Sequence, residues 1–478
     1  MNDNRFDLIM VGSSFASSFF LKQYLEKAPT HAKILVLERG YLYPHTERLK
    51  AQRGEENFIA NPNQSNNATF LNATDNKQWE FQTGFGGSSN CWHGCTPRFM
   101  PSDFKMQSLY GVAADWPIQY DELDPYYTAV EGIMSISGAS NPPYPKHSAY
   151  PLPPHIFSTV DNILHNHYGN LYVHPPTARA SIPINGRGAC CASAVCSICP
   201  VNAKFTIENG LRDIYSDPRV ELVYGAQVHA LGAAHDSINS IHYIHDGIEK
   251  TAMAEVYALG ANAIFNAHIL LNSGDDNPLT GKGIGEQISL EARVDLHDLD
   301  CVGGSTKVNA NGYMLYDGNH RKEFAACLME ANNTPYIRFE RGKWRHQARF
   351  RMIFENLPEN ENHVSLTSDK LKPAVHFNGV SEYALKGIEN MKKVLPDVLS
   401  CLPVEKIEYS ALHPTESHIL GSTRMSLTPE TGVVDKNLLH HQYRNLFVLG
   451  SGAFTTYSPS NPTLTLSALS MMAADRSF

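Results

Sequence analysis

Residues 6–11, apolar apart from Asp7, stop at Gly12, and residues 33–38, apolar after Lys33, end on the acid Glu38. Runs this short and this apolar predict strands buried on both faces; the stretch between them predicts a tight turn over residues 12–17 and a helix reaching Glu26. Together they make a βαβ opening of the size that holds a dinucleotide. Strand patterns return at residues 220–224 and 226–231, continue as a meander to Lys250, and close on residues 254–259, where Gly260 turns the chain into another helix. Between about residues 295 and 410 the period changes. Residues 336–339 and 348–354 alternate apolar and polar positions, which predicts an antiparallel sheet with one polar face, and residues 383–399 predict an amphipathic helix. Finally, an apolar run at 446–449 feeds a glycine turn at Gly450-Ser451-Gly452. Ser460 or Asn461 is then placed to cap a helix that opens on Pro462, where a missing N–H costs nothing.

Other stretches carry no such period. Residues 46–74 are polar and read as a surface loop, residues 139–186 are proline-rich and read as loop, and residues 115–123 read as a loop leading into a capped helix. With 478 residues, the chain exceeds one ordinary core, and no low-complexity linker divides it. Two intertwined domains are expected.

Charge narrows the partners. There are 39 basic against 48 acidic residues, a net charge of −9, which argues against a nucleic-acid surface. The sequence has no apolar stretch long enough for a transmembrane segment, and its N-terminus lacks the regions of a signal peptide, so a soluble protein without its own export signal is expected. Nine cysteines remain to be placed, and an odd number without a signal argues against a disulfide framework.

The chemistry lies in the turns. After Gly12, Ser14 and Ser17 occupy the second and third positions of the dinucleotide fingerprint, while Glu38, followed by Arg39, would receive ribose hydroxyls. The pair Gly86-Gly87, followed by Ser88, Asn90 and Cys91, lets backbone approach a ligand closely and offers it small polar groups. The start of the helix at Pro462 and Thr463, with its orphan amides and macrodipole, favours negative charge. Upstream, His418 can accept a hydroxyl proton while Asn461 donates a hydrogen bond to the same oxygen, so that a hydride can leave the substrate carbon.

These motifs, taken in order, resemble the glucose-methanol-choline (GMC) flavoprotein oxidoreductases from end to end. They are the Gly12 turn with Glu38, Gly86-Gly87-Ser88, the turn at Gly260, His418-Ile419-Leu420-Gly421, and Gly450-Ser451 with Asn461-Pro462-Thr463. The resemblance implies an α/β FAD-binding Rossmann-like domain interleaved with an α+β substrate domain built on an antiparallel sheet. Residues 1–110, 180–290 and 418–478 would form the first, and 111–179 with 291–417 the second. It also implies His418 and Asn461 as the catalytic pair and Val228 as the backbone that meets the adenine.

The segment around residues 110–123 resembles the branch of sugar dehydrogenases and pyranose oxidases. There Cys91 falls where some members link a histidine to FAD, which implies non-covalent FAD and leaves a cysteinyl link open. Cys190, Cys191 and Cys196 resemble the motif that holds a three-iron cluster (3Fe-4S) in related dehydrogenases, with Cys199 as a further ligand or a packing residue. A zinc site and a disulfide within residues 190–199 stay open beside it.

The expected activity is FAD-dependent oxidation of a CH–OH group in a sugar or glycoside. Electrons would pass to an external acceptor, through the cluster or a partner such as a small chaperone-like subunit or a cytochrome. An oxygen-using oxidase is the alternative within enzymes; a flavin-binding electron-transfer or assembly subunit is the alternative outside them. The expected compartment is the cytoplasm, or the periplasm by co-export with a signal-bearing partner.

Overall fold

A computed structural model describes residues 5–65, 68–74, 77–334 and 336–478. Its first sheet has seven strands, of which Arg5–Val11 is central. This strand pairs in parallel with Ile34–Leu37 on one side and with the end of Ile248–Leu259 on the other. Outside these, Val220–Val223 and Leu446–Val448 add parallel strands, while Gln227–Ala234, Ser237–His245 and Ile248–Leu259 form the antiparallel meander. The sheet is therefore mixed. The parallel strands are the continuous apolar runs of the sequence because helices cover them: Leu8, Ile9, Met10, Val36 and Leu37 have no accessible surface.

Two helices matter most for that cover. Phe15–Lys27 follows the first strand after the Gly12 turn, and Thr463–Ser477 packs against it. Their contact holds Phe478 against the rings of Phe20 and Tyr24, and Gln23 donates to Asp475 at 3.1 Å.

The second sheet is antiparallel throughout, in the order Val404–Tyr409, Ile288–Leu296, Gln347–Phe354, Cys327–Asn332, Val308–Gly312 and Tyr172–Val173. Its buried face carries Leu290, Ala292, Phe350, Met352 and Met329, and the helix Glu382–Val398 packs Tyr383, Ile388 and Met391 on it.

Four local expectations change. Residues 336–339 form no strand: they lie in the connection between two strands of the second sheet, where Arg338 turns to Glu405, Glu340 and Asp295. The loop expected over 46–74 contains a helix, His45–Arg53, ended by Gly54 in the left-handed region; residues 66 and 67 of that stretch lie outside the described residues. Within 139–186, the helix Thr159–Tyr168 starts from a capping box in which Ser158 and Asp161 exchange hydrogen bonds. Neither Ser460 nor Asn461 caps the last helix. Its N-cap is Pro462 without a side-chain bond, because the Ser460 hydroxyl is spent on Tyr316 at 2.9 Å. Among the described residues, no helix is long and apolar enough to cross a membrane.

Candidate active site

At Gly12 the backbone has φ +85°, and an added Cβ would sit 2.6 Å from the carbonyl of Gly260. A side chain there is excluded twice, by conformation and by space. The following Ser14 occupies the N-cap of Phe15–Lys27 without bonding the helix amides, which leaves them to a ligand. A cavity opens against this turn, walled by Gly12, Ser14, Glu38, Arg39, Gly87, Ser88, Val228 and Gly260 among others. Eight expected cofactor residues thus share one wall system.

What ties the pieces together is Ser13, which the sequence reading passed over. Its hydroxyl donates to Glu38 at 2.7 Å and accepts from the amide of Gly86 at 3.2 Å, joining the first turn, the second strand and the glycine pair. The other Glu38 oxygen accepts from the amide of Gly40 at 2.8 Å. Arg39 lies 4.2 Å over the ring of Phe265 and donates to Thr83; burial brings its guanidinium down to about 10. Phe265 and His268, on the helix Asn262–Asn272, close the cavity from the far side. No periodicity distinguishes them from core residues.

Three expected residues stand elsewhere. Ser17 faces the strand: its hydroxyl donates to the carbonyl of Val11 at 3.1 Å, and a Cβ on Gly260 would meet it at 2.0 Å. It therefore sets how closely helix and strand approach. Asn90 and Cys91 line a separate cavity beside Arg48 and Tyr43. Cys91 is exposed with its thiol 3.6 Å from the carbonyl of Ser88.

The C-terminal pieces converge beside the second sheet. Gly421 and Ser451 are joined by a backbone hydrogen bond of 3.0 Å, and the Ser451 hydroxyl donates to the carbonyl of Ile419 at 2.6 Å. Gly450, at φ +97°, turns the chain over Ala16 of the first helix. Pro462 and Thr463, both buried, begin the last helix. His418 is half-buried, and its Nδ1 lies 3.1 Å from Oε1 of Gln287. Loss of water, with the nearby Arg351 charge, brings its imidazole down to about 4, so the ring is neutral at ordinary pH. His93, from the end of the glycine loop, acts electrostatically on the same ring.

Asn461 is buried, with an unpartnered side-chain oxygen, and its amide donates toward Glu330. Glu330 is a carboxyl that burial first of all, and then Glu416, pushes up to about 7. Gln287 was missed by the sequence reading, although it spans the gap between His418 and the segment of Asn461: its amide donates to the carbonyls of Ser458 and Ser460 at 2.8 and 2.9 Å.

The cysteine cluster does not assemble as expected. All nine cysteines are free, which removes the disulfide within residues 190–199. Among the described residues no group of three His, Cys, Asp or Glu side chains is arranged to hold a metal ion. Cys190 turns its thiol to Thr306 at 3.6 Å, Cys191 is exposed, Cys196 is buried, and the Cys199 sulfur accepts from the amide of Ala203 at 3.2 Å. Cys190 and Cys196 share the neighbourhood of Arg179, and Cys196 and Cys199 that of Lys204, yet among the described residues the sulfurs do not converge on a site that fits an iron–sulfur cluster or a zinc ion.

The family model described as GMC oxidoreductase matches residues 358–470. The chain is 28% identical over 440 residues to the fructose dehydrogenase large subunit of Gluconobacter japonicus, covering 82% of this chain and 80% of that protein. It is 24% identical over 455 residues to the 2-methyl-1,2-propanediol dehydrogenase of Mycolicibacterium austroafricanum, with the same shares covered. Among solved structures, pyridoxine 4-oxidase from Mesorbium loti superposes with a TM-score of 0.68 at 16% identity, over 99% of both chains. An Aspergillus oryzae RIB40 formate oxidase variant gives 0.63 at 14%, over 99% of this chain and 98% of that one. The two solved structures share the fold.

Proposed function

The chain belongs to the GMC oxidoreductases, flavoproteins that act on CH–OH groups, and from that premise we propose that it is an FAD-dependent dehydrogenase of a sugar or glycoside. FAD fits the cavity by its own demands: a side-chain-free turn at Gly12, uncapped helix amides behind Ser14, and Glu38 beside Ser13. In this reading Glu38 meets the ribose hydroxyls, Val228 the adenine, and Gly86, Gly87, Ser88 and Ser451 the middle of the cofactor. Behind Pro462, which has no N–H of its own, the helix that starts at Thr463 presents its first amides to the flavin. Residues 1–110, 180–290 and 418–478 make the cofactor half, and 111–179 with 291–417 the substrate half.

Bound FAD supplies the acceptor for the hydride that leaves the substrate carbon. His418, neutral at working pH, takes the hydroxyl proton; Asn461, with one N–H directed to Glu330, has a second to donate to the same oxygen. The carbon loses two electrons and one hydrogen, the oxygen loses its proton, and a carbonyl forms. The observation that carries the reading is Gln287, which bonds His418 and the backbone just before the buried Asn461 and so brings the two segments to one place. No step uses the cysteines. Electrons leave to an external acceptor, and the "large subunit" of the fructose dehydrogenase relative supports a partner subunit as its carrier.

The test is an anaerobic screen of sugars, glycosides and simple alcohols for bleaching of the bound flavin, in parent protein and His418→Ala. Bleaching by a sugar that the variant slows by about a hundredfold or more is expected. Equal bleaching in both proteins would remove His418 as base; response to simple alcohols alone would remove the sugar; peroxide released in step with substrate loss would make the enzyme an oxidase.

A further inference from the structure

Gln287 is fully buried and immediately precedes the strand Ile288–Leu296. Its side chain has three partners, and two fix its orientation without reference to the third. The carbonyl oxygens of Ser458 and Ser460, 2.8 and 2.9 Å away, can only accept hydrogen bonds. The amide nitrogen must therefore face them. Rotating the amide by half a turn would set its oxygen against two other oxygens and leave buried acceptors unsatisfied. With the nitrogen committed, Oε1 faces Nδ1 of His418 at 3.1 Å, so that nitrogen must carry the proton. A neutral imidazole has one N–H, and Nε2 is left bare.

We propose that Gln287 is the positioning residue of this site, fixing the tautomer and direction of the His418 ring and tying it to the segment that carries Asn461. The inference rests on His418 being the base. Neighbouring contacts support it. Glu286, next in the chain, accepts from the Thr415 hydroxyl at 2.5 Å and from the Glu416 amide at 2.8 Å, pinning the backbone just ahead of His418. Beyond it, Gly285 and Leu420 exchange backbone hydrogen bonds of 3.0 and 2.9 Å. Residues 285–287 thus form a rail along which His418 is held by backbone on both sides and by its ring in the middle. The charged and titratable groups around the ring are Arg351, which is paired with Glu416, His93 from the glycine loop, and Glu330 beside Asn461.

The experiment has two arms. In protein labelled with nitrogen-15 at its histidine side chains, the signals lost in His418→Gln identify His418. The proton is expected on Nδ1, and a proton on Nε2 would overturn the proposal whether or not flavin is bound. In the kinetic arm, flavin-loaded Gln287→Leu and Gln287→Glu are reduced anaerobically by the active alcohol. Leucine removes the acceptor and should slow the limiting rate by about a hundredfold while leaving the half-saturating substrate concentration and the flavin content unchanged. Glutamate restores the acceptor toward Nδ1 but sets its other oxygen against the carbonyls of Ser458 and Ser460, so it should recover part of the rate and move the pH midpoint upward, because a carboxylate beside the imidazole favours its charged form. Parental rates in Gln287→Leu overturn the proposal. If that variant does not fold, the labelled parent protein still decides. Parental reduction by His418→Ala would instead remove the functional reading and leave the tautomer result standing by itself.

Discussion

The guanidinium of Arg321 lies 2.7 Å from Glu355 and 2.9 Å from Asp103, with all three side chains buried. Asp103 accepts in turn from the hydroxyls of Tyr316 at 2.7 Å and Ser458 at 2.9 Å, which carries the support of Arg321 to the segment before Asn461. Arg321→Met would leave two carboxylates buried without their cation. Such a loss costs about 3–5 kcal/mol, so denaturant unfolding should show a drop of that size. A change below about 1 kcal/mol would mean that solvent reaches these carboxylates.

Gly260→Ala tests the cofactor turn. The new methyl would stand 2.0 Å from the Ser17 hydroxyl and 3.1 Å from the carbonyl of Val11, forcing strand and helix apart. Flavin content, read as the ratio of flavin to protein absorbance, should fall about tenfold. Adding Ser17→Gly should restore part of it, and failure of that rescue would place the clash elsewhere.

The pH dependence of flavin reduction follows from His418. Because its ring is held at about 4, the base is already free at neutral pH. The limiting rate should stay level down to about pH 5 and decline as the ring charges near pH 4. A midpoint near 6.5, the ordinary imidazole value, would show that the ring is not desolvated.

Acid should also weaken the fold through His155 and His268, both buried and both brought down to about 4 chiefly by desolvation. Their folded values lie below the unfolded one, so the unfolded chain binds more protons between about pH 6.5 and 4. The stability they contribute is therefore present above that window and is lost as pH falls through it, at up to about 3 kcal/mol each. Denaturant midpoints in the double variant His155→Gln/His268→Gln should vary less with pH over that window than in the parent.

Much of this site was legible in local sequence. A turn whose glycine cannot be replaced, a strand ending on Glu38, and a helix beginning just after Pro462 are written in neighbouring residues, because backbone conformation is a local demand. The amphipathic helix near residues 383–399 appears as Glu382–Val398 for the same reason. What escaped is made by contacts between distant segments. Ser13 and Gln287 look like any small or polar residue until Gly86, Glu38, His418 and Ser460 arrive around them. The cap expected of Ser460 failed because Tyr316 takes its hydroxyl. Cysteine spacing was likewise insufficient, since the direction of each thiol depends on Thr306, Ala203 and the surrounding backbone.

The packing of Thr463–Ser477 against Phe15–Lys27 has a bearing on how the protein is made. A ribosome delivers the first helix long before its cover, so Phe19, Phe20 and Leu21 await their partners while the residues between are made. Strand Leu446–Val448, which completes one side of the mixed sheet, also arrives late. The lining of the nucleotide cavity, from Val11 to Ile269, emerges before either that strand or the covering helix. A chain stalled before residue 446 would present its opening strand and helix to chaperones.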